Sequence, residues 1–165
     1  MLQINQRLYG VTMYLLDTDT IIFSLKGNAA VQKNLLFHIN DPIKTCVITL
    51  MELYYGAYKS QKVTGNLAKI KTLEQSLEII TVGVESVEIF GMLKSRLEKT
   101  GSRLDDFDLI IAACALVHNL TLVTNNEKHF QRIEGLKLAN WMRPLKNVQF
   151  CSRLRKTKIL TTPEE

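Results

Sequence analysis

The sequence lacks the features that mark several common classes of protein. No uncharged apolar run approaches the roughly 20 residues that a membrane span needs, and the N-terminal residues show no secretory signal pattern. Neither a glycine-rich phosphate loop nor a G-x-S-x-G nucleophile turn is present. Internal repeats, low-complexity tracts and proline-rich linkers are also missing. We therefore expect one domain with a terminal extension and no membrane partner.

Cysteine is scarce, because Cys46, Cys114 and Cys151 are the three in the chain. Their number is odd, and their positions show no paired metal-ligand spacing. Such a set suits a reducing compartment, so we expect the protein in the cytoplasm. Each cysteine is predicted to be a small hydrophobic residue of the core.

Positive charge is concentrated at the C-terminal end of the 165 residues. Residues 142–165 carry six Lys or Arg against two Glu, which is most of the net charge of +5. A basic tail can contact the phosphates of a nucleic acid, or it can simply be a solvated end of the chain. The rest of the composition, 46% hydrophobic and 22% charged, is typical of an ordinary globular domain.

Short apolar runs rich in β-branched residues alternate with longer segments of helical periodicity. The predicted strands are 14–16, 45–49, 79–82 and 120–124, with a short fifth at 136–138. Alternation of this kind predicts a parallel sheet of four to five strands with helices on both faces, a three-layer α/β/α domain. In such sheets, ligands bind beyond the carboxyl ends of the strands where the strand order reverses.

Acidic and amide side chains follow three of the predicted strands. Asp17 and Asp19 come just after the first strand, Glu52 lies one helical turn beyond the second, and Asn125 and Asn126 leave the fourth. Because the carboxyl ends of parallel strands share one edge of the sheet, we expect these side chains to converge.

A further acidic group opens the stretch RLDDFDLIIAACALV, residues 103–117, in which Asp105, Asp106 and Asp108 precede an apolar helix. Like charges at this spacing repel one another unless a helix N-terminus, a cation or water compensates them. Helix capping is the simplest explanation, with Asp105 as the N-cap.

Two further caps are suggested by the capping-box pattern, in which a Ser or Thr precedes Glu by three residues: Thr49 with Glu52, and Thr124 with Glu127. Capping explains each pair singly, but it does not predict that carboxylates from separate parts of the chain converge on one edge. A hard divalent cation such as Mg²⁺ or Mn²⁺ prefers oxygen ligands of this kind. Bound there, it would favour phosphodiester hydrolysis. The three histidines, His38, His118 and His129, are predicted to be structural.

Four segments resemble, in order and spacing, the signature segments of PIN-domain ribonucleases, and among them the VapC toxins of bacterial toxin–antitoxin modules. The segments are LLDTDTIIFSLKG, VITLMELYYGAYKS, GSRLDDFDLIIAACAL and LVTNNEKHFQRIEGLKLANW. The resemblance implies a PIN-like nuclease domain at 13–141, with 1–12 as an N-terminal extension and 142–165 as a basic tail. It also implies a Mg²⁺- or Mn²⁺-dependent endoribonuclease acting on tRNA or rRNA. The implied partners are the RNA substrate, a cognate antitoxin and a second copy in a homodimer.

The resemblance also assigns roles to single residues. Asp17, Glu52 and Asp108 match the acids that bind metal and carry catalysis in the family. Asn126 falls where many PIN domains place a fourth acid. Two further matches are secondary: Asp19, expected to brace the site, and Asp106, an extra acid of some members.

Two alternatives remain open at this stage. The segment LLDTDTI nearly fits the D-x-D-x-[TV] nucleophile loop of haloacid-dehalogenase-type phosphatases, which needs Thr or Val at Ile21 and an acidic pair directly after a later strand. A catalytically inactive PIN fold that binds RNA or protein is the second, because fold alone does not establish activity.

Overall fold

The computed structural model describes residues 12–145. Cys151, residues 1–11 of the predicted extension 1–12 and residues 146–165 of the predicted basic tail 142–165 lie outside the described residues. Within 12–145 the chain forms five strands: β1 (Tyr14–Leu16), β2 (Ile43–Cys46), β3 (Glu78–Ile80), β4 (Thr121–Val123) and β5 (Lys137–Ala139). Seven helices alternate with them: α1 (Thr18–Leu25), α2 (Ala29–Phe37), α3 (Val47–Lys59), α4 (Val63–Ser76), α5 (Val84–Lys99), α6 (Asp106–Val117) and α7 (Glu127–Phe130).

The five strands form one parallel sheet in the order β3-β2-β1-β4-β5. β1 lies at the centre, with Leu16 opposite Thr45 of β2 and Val123 of β4. Since parallel strands need crossover connections, the helices between them cover both faces of the sheet. The predicted sheet of four to five parallel strands is confirmed.

Alternating side chains of β1 divide the core into two clusters, one on each face of the sheet. Leu15 faces a cluster with helices α5 and α6, whereas Tyr14 and Leu16 face a cluster with α1, α3 and α4. All three side chains are buried, as expected for a central parallel strand. The three-layer α/β/α architecture follows from this division and is confirmed.

The second strand ends earlier than the sequence predicted. Residues 45–49 were expected to be extended, but β2 ends at Cys46 and helix α3 begins at Val47. The β-branched residues of this run favour a strand by intrinsic propensity, and tertiary packing overrides that preference. The other strands lie within two residues of their predicted ends, including the short fifth one.

Two of the three cysteines lie in the core, as predicted. Cys46 at the end of β2 and Cys114 in α6 are fully buried free thiols whose Sγ atoms are 3.8 Å apart. None of the helices within residues 12–145 is long and apolar enough to cross a bilayer.

Truncating a central core residue is expected to destabilise the fold. Leu122 of β4 is fully buried, so Leu122→Ala should lower the free energy of unfolding by about 2–5 kcal/mol, through lost apolar burial and an unfilled cavity. Leu36, 68% exposed on α2, provides the matched control, because Leu36→Ala should change the free energy of unfolding by less than about 0.5 kcal/mol. Urea denaturation measures both, and equal effects would contradict this account of the core.

Candidate active site

The candidate site lies beyond the carboxyl ends of β1 and β4, where the strand order reverses. The chain leaves β1 towards β2 on one side of the sheet and leaves β4 towards β5 on the other, which opens a crevice between the two connections. Asp17 follows β1 directly, and its N–H donates to the carbonyl of Val123 at 3.0 Å. Asn125 and Asn126 follow β4 at the same edge.

Asp17 is the most deeply buried acid of the site, with 6% of its surface exposed. It is the N-cap of α1, where its Oδ1 accepts from the N–H of Thr18 at 2.8 Å. Its Oδ2 accepts from the hydroxyl of Thr124 at 2.8 Å. Burial, together with the negative charges of Asp19 and Asp108, raises the pKa of Asp17 from 3.8 to about 7. The two donors lower this pKa but do not offset those effects.

Two hydrogen bonds connect α1 to α3 and to the loop after β4 around the crevice. The hydroxyl of Thr18, at the start of α1, donates to Oε2 of Glu52 on α3. The Oδ2 of Asp19 accepts from the N–H of Asn125 at 2.9 Å, which connects α1 to the loop after β4. Three segments that are distant in sequence are therefore held together around Asp17.

Asp108 lies in the first turn of α6, half-buried beside the other acids. Burial raises its pKa, and the negative charges of Asp105 and Glu52 raise it further. His129 of α7 acts in the opposite direction, with its Nδ1 3.7 Å from Oδ2 of Asp108 and 2.7 Å from Nδ2 of Asn126. Asp17, Asp19, Glu52, Asp108 and Asn126 thus lie around one crevice, linked by hydrogen bonds or by the effect of one charge on another.

Asp106 does not join this group. Its carboxylate is exposed and forms an ion pair with the Nζ of Lys94 on α5 at 2.7 Å. Residues that are two positions apart on a helix, such as Asp106 and Asp108, are separated by about 200° around its axis. Asp106 is therefore directed towards α5, whereas Asp108 lies beside the other acids.

Helix capping explains part of the acidic pattern. Asp105 is the N-cap of α6, where its Oδ1 accepts from the N–H of Phe107 at 2.9 Å, as predicted. The capping box at Thr49 is wrong, because Thr49 lies inside α3 and its buried hydroxyl has no hydrogen-bond partner among residues 12–145. The box at Thr124 is also wrong, because its hydroxyl oxygen accepts from the N–H of Asn126 rather than from that of Glu127, and the N-cap of α7 is Asn126.

Three residues of the site were not found by sequence reasoning. Thr18 and Thr124 orient carboxylates through their hydroxyls, and His129 was predicted to be structural but lies beside Asp108. The adjacency of Thr18 to Asp17 gave no signal for this role, because the Thr18 hydroxyl donates to Glu52 on another helix. No signal in the sequence connects His129 to Asp108, because the contact depends on how α7 packs beside α6.

The donor chemistry of the crevice fits a hard divalent cation. Within residues 12–145, no three His, Cys, Asp or Glu side chains are close enough together to form a complete set of metal ligands. Mg²⁺, however, commonly takes one or two carboxylates and keeps several waters. The charge of Asp108 raises the pKa of Asp17, because the two carboxylates repel each other. A cation bound between them would relieve this repulsion. The residues present therefore fit a hydrated Mg²⁺ or Mn²⁺ ion.

The phosphatase alternative does not fit the structure. Its loop motif requires an acidic pair directly after a later strand, but the acids from Asp105 onward begin a helix. No strand separates α5 from α6 in this described part of the chain.

Comparison with known proteins identifies the family. The sequence matches the PIN domain family over residues 14–136. It is 38% identical over 131 residues to the ribonuclease VapC2 of Rickettsia felis, across 78% of this chain and 98% of the relative. It is also 34% identical over 130 residues to the tRNA(fMet)-specific endonuclease VapC of Shigella flexneri, across 78% of this chain and 97% of the relative.

The fold agrees with the sequence comparison. The crystal structure of VapBC2 from Rickettsia felis bound to a DNA fragment from their promoter matches with a TM-score of 0.74 and 37% identity, over 79% of this chain and 99% of that chain. The chain therefore belongs to the PIN domain family. The relatives that it matches over nearly their whole length are VapC ribonucleases, so the resemblance inferred from the four segments is confirmed.

Asp17→Asn is expected to weaken the pH dependence of stability. The folded chain keeps the Asp17 proton up to about pH 7, whereas the pKa of an ordinary Asp is 3.8. Its contribution to the free energy of unfolding, on the order of 4 kcal/mol, is therefore complete below pH 3.8 and is lost as the pH rises towards 7. Urea denaturation in EDTA at a series of pH values should give a flatter profile for the variant, and parallel profiles would contradict the raised pKa.

Proposed function

We propose that this chain is a divalent-metal-dependent endoribonuclease and the toxin of a toxin–antitoxin pair. The observation that carries the proposal is the convergence of Asp17, Glu52 and Asp108, from three separate elements, on the crevice where the strand order reverses. Family membership supports the same activity, because the curated relatives are ribonucleases. The relative from Shigella flexneri is specific for tRNA(fMet), and we propose structured RNA of the tRNA or rRNA class as the substrate.

Asp17 and Asp108 are the residues that would hold Mg²⁺ or Mn²⁺, with Glu52 as the third acid. When bound, the ion lowers the pKa of a water molecule and neutralises the phosphate that is attacked. Without a cation, the acids of the crevice would repel the RNA backbone, so cofactor and substrate depend on each other.

The remaining residues position these acids and the attacking water. Glu52 accepts from Thr18 and keeps its other oxygen available to orient or deprotonate a water molecule. Asp19 braces the loop after β4 through Asn125. Asn126 can orient water or metal with its amide but supplies no charge, and its contact with His129 holds it next to Asp108. Asp106 lies outside this set because it pairs with Lys94.

The proposed antitoxin would bind on the exposed side of α3. Met51, Tyr55 and Tyr58 follow one another at i, i+4 and i+7, so they form one stripe on the helix, and each is at least half exposed. An apolar or aromatic segment of a partner fits a stripe of this kind. The structural relative contains both VapB and VapC, and we expect a homodimer of this chain as well. We place this activity in the cytoplasm, where the free thiols of Cys46 and Cys114 remain reduced.

The activity is tested by Mg²⁺-dependent cleavage of total RNA. Wild type should cleave in Mg²⁺ and stop in EDTA, and Asp108→Asn should lower the rate by at least about 100-fold, because it removes a charged oxygen ligand. Asp106→Asn is the matched variant on the same helix and should retain the wild-type rate. Equal cleavage by wild type and Asp108→Asn would reject the site, and no cleavage by wild type would favour an RNA- or protein-binding PIN fold.

Divalent cations are expected to stabilise the folded protein through these acids. At pH 8, Mg²⁺ at ten times its dissociation constant should add about 1.4 kcal/mol to the free energy of unfolding. The gain should be lost in Asp108→Asn and kept in Asp106→Asn. Thermal unfolding with and without Mg²⁺ measures the difference, and a gain of the same size in both variants would place the ion elsewhere.

A further inference from the structure

A polar cavity of about 650 Å³ adjoins the candidate site, between α7 and the segment after β5. This volume is within the range of natural small-molecule sites and exceeds what a few waters require. Amides and cations predominate in its lining, beside one carboxylate, Glu127, which pairs with Arg143, and one apolar side chain, Met142. The amides and cations are Asn125, Asn126, Lys128, Gln131, Asn140 and Arg143, of which Asn126 also belongs to the candidate site. A ligand in this cavity would therefore lie directly beside the acids.

The wall formed by residues 140–143 is held in place before any ligand binds. The Nδ2 of Asn140 donates to Glu127 at 3.1 Å and to Oδ1 of Asn125 at 3.3 Å, and its Oδ1 accepts from the N–H of Met142. On the side of the core, the buried Asn34 donates to the carbonyls of Trp141 and Arg143 at 3.1 and 3.2 Å. A wall fixed from both sides costs little conformational entropy on binding.

Several polar groups of the cavity are available to a ligand. Within residues 12–145, the side-chain amide of Gln131 makes no hydrogen bond and the ammonium of Lys128 makes no ion pair. Arg143 pairs with Glu127 but keeps 71% of its side chain exposed. A primary amide presents a donor beside an acceptor, as the edges of nucleic-acid bases do, and the two cations match phosphate oxygens.

We propose that this cavity binds one nucleotide of the RNA strand, next to the phosphodiester bond held at the acids. Gln131 contacts the base edge, while Lys128 and Arg143 contact the flanking phosphate. The assignment rests on the proposed ribonuclease function and adds to it a site that selects the nucleotide beside the cut. It also explains how a polyanion approaches an acidic crevice, since the adjoining cavity carries two cations against one acid, Glu127.

Lys128→Ala tests the phosphate contact, with Lys69→Ala as the matched control on α4, which contributes no residue to the cavity. Both variants are made in the full chain carrying Asp108→Asn, so that fluorescein-labelled bulk tRNA is bound without being cut. Lys128→Ala should weaken binding about threefold and reduce the slope of log affinity against log salt by about 0.7, the value for one phosphate contact to a single strand. Equal slopes for the two variants would overturn the phosphate contact.

Gln131→Ala tests the base contact, with Gln75→Ala on α4 as its control. In chains with an intact active site, sequencing of RNA ends after cleavage of total RNA gives the nucleotide on each side of the cut. Gln131→Ala should reduce the preference for one nucleotide at a single flanking position by about fivefold, because a base-edge hydrogen bond is lost. Identical distributions for the two variants would overturn base selection by this cavity. If wild type does not cleave, the ribonuclease function fails, while the binding arm with tRNA still decides the phosphate contact.

Discussion

The burial of the Asp17 carboxylate among other acids is the constraint on which the rest of the site depends. β1 is covered on both faces, so the residue that follows it remains inside the protein. Two hydrogen-bond donors, Thr18 and Thr124, do not offset burial and the charges of Asp19 and Asp108, and the pKa of Asp17 lies at about 7. Within residues 12–145, no positive charge acts on Asp17 strongly enough to offset these effects, and a cation would supply one.

The fold can hold such an unfavourable group because the elements around it are well buried. Helix α6, which carries Asp108, is among the most buried helices, and it packs against the sheet through residues such as Ile111 and Ala112. Acids attached to a rigid helix and to the end of a central strand cannot move apart to relieve their repulsion. The raised pKa of Asp17 means that its ionised form is unfavourable in the folded protein, and unfavourable groups of this kind are common at functional sites.

Charge is arranged asymmetrically around the crevice. Acids occupy the reversal point of the sheet, while Lys128 and Arg143 line the adjoining cavity. A strand of RNA carries regularly spaced negative charges, so under the proposed function the cations would hold one phosphate while another reaches the acids. This arrangement is consistent with membership of the PIN domain family and with the VapC ribonucleases to which the chain is similar.

The sequence by itself determined the layered parallel sheet and the candidate acids. Buried strands are visible as apolar runs, and the polar residues that follow them lie at the same edge of the sheet. It did not determine side-chain direction. Asp106 and Asp108 have the same chemistry two residues apart, yet one pairs with Lys94 and the other lies beside His129. Thr124 matched a capping motif but donates to Asp17 instead. Only the tertiary structure decided these partners, because each depends on how distant elements pack, and local spacing carries no information about that packing.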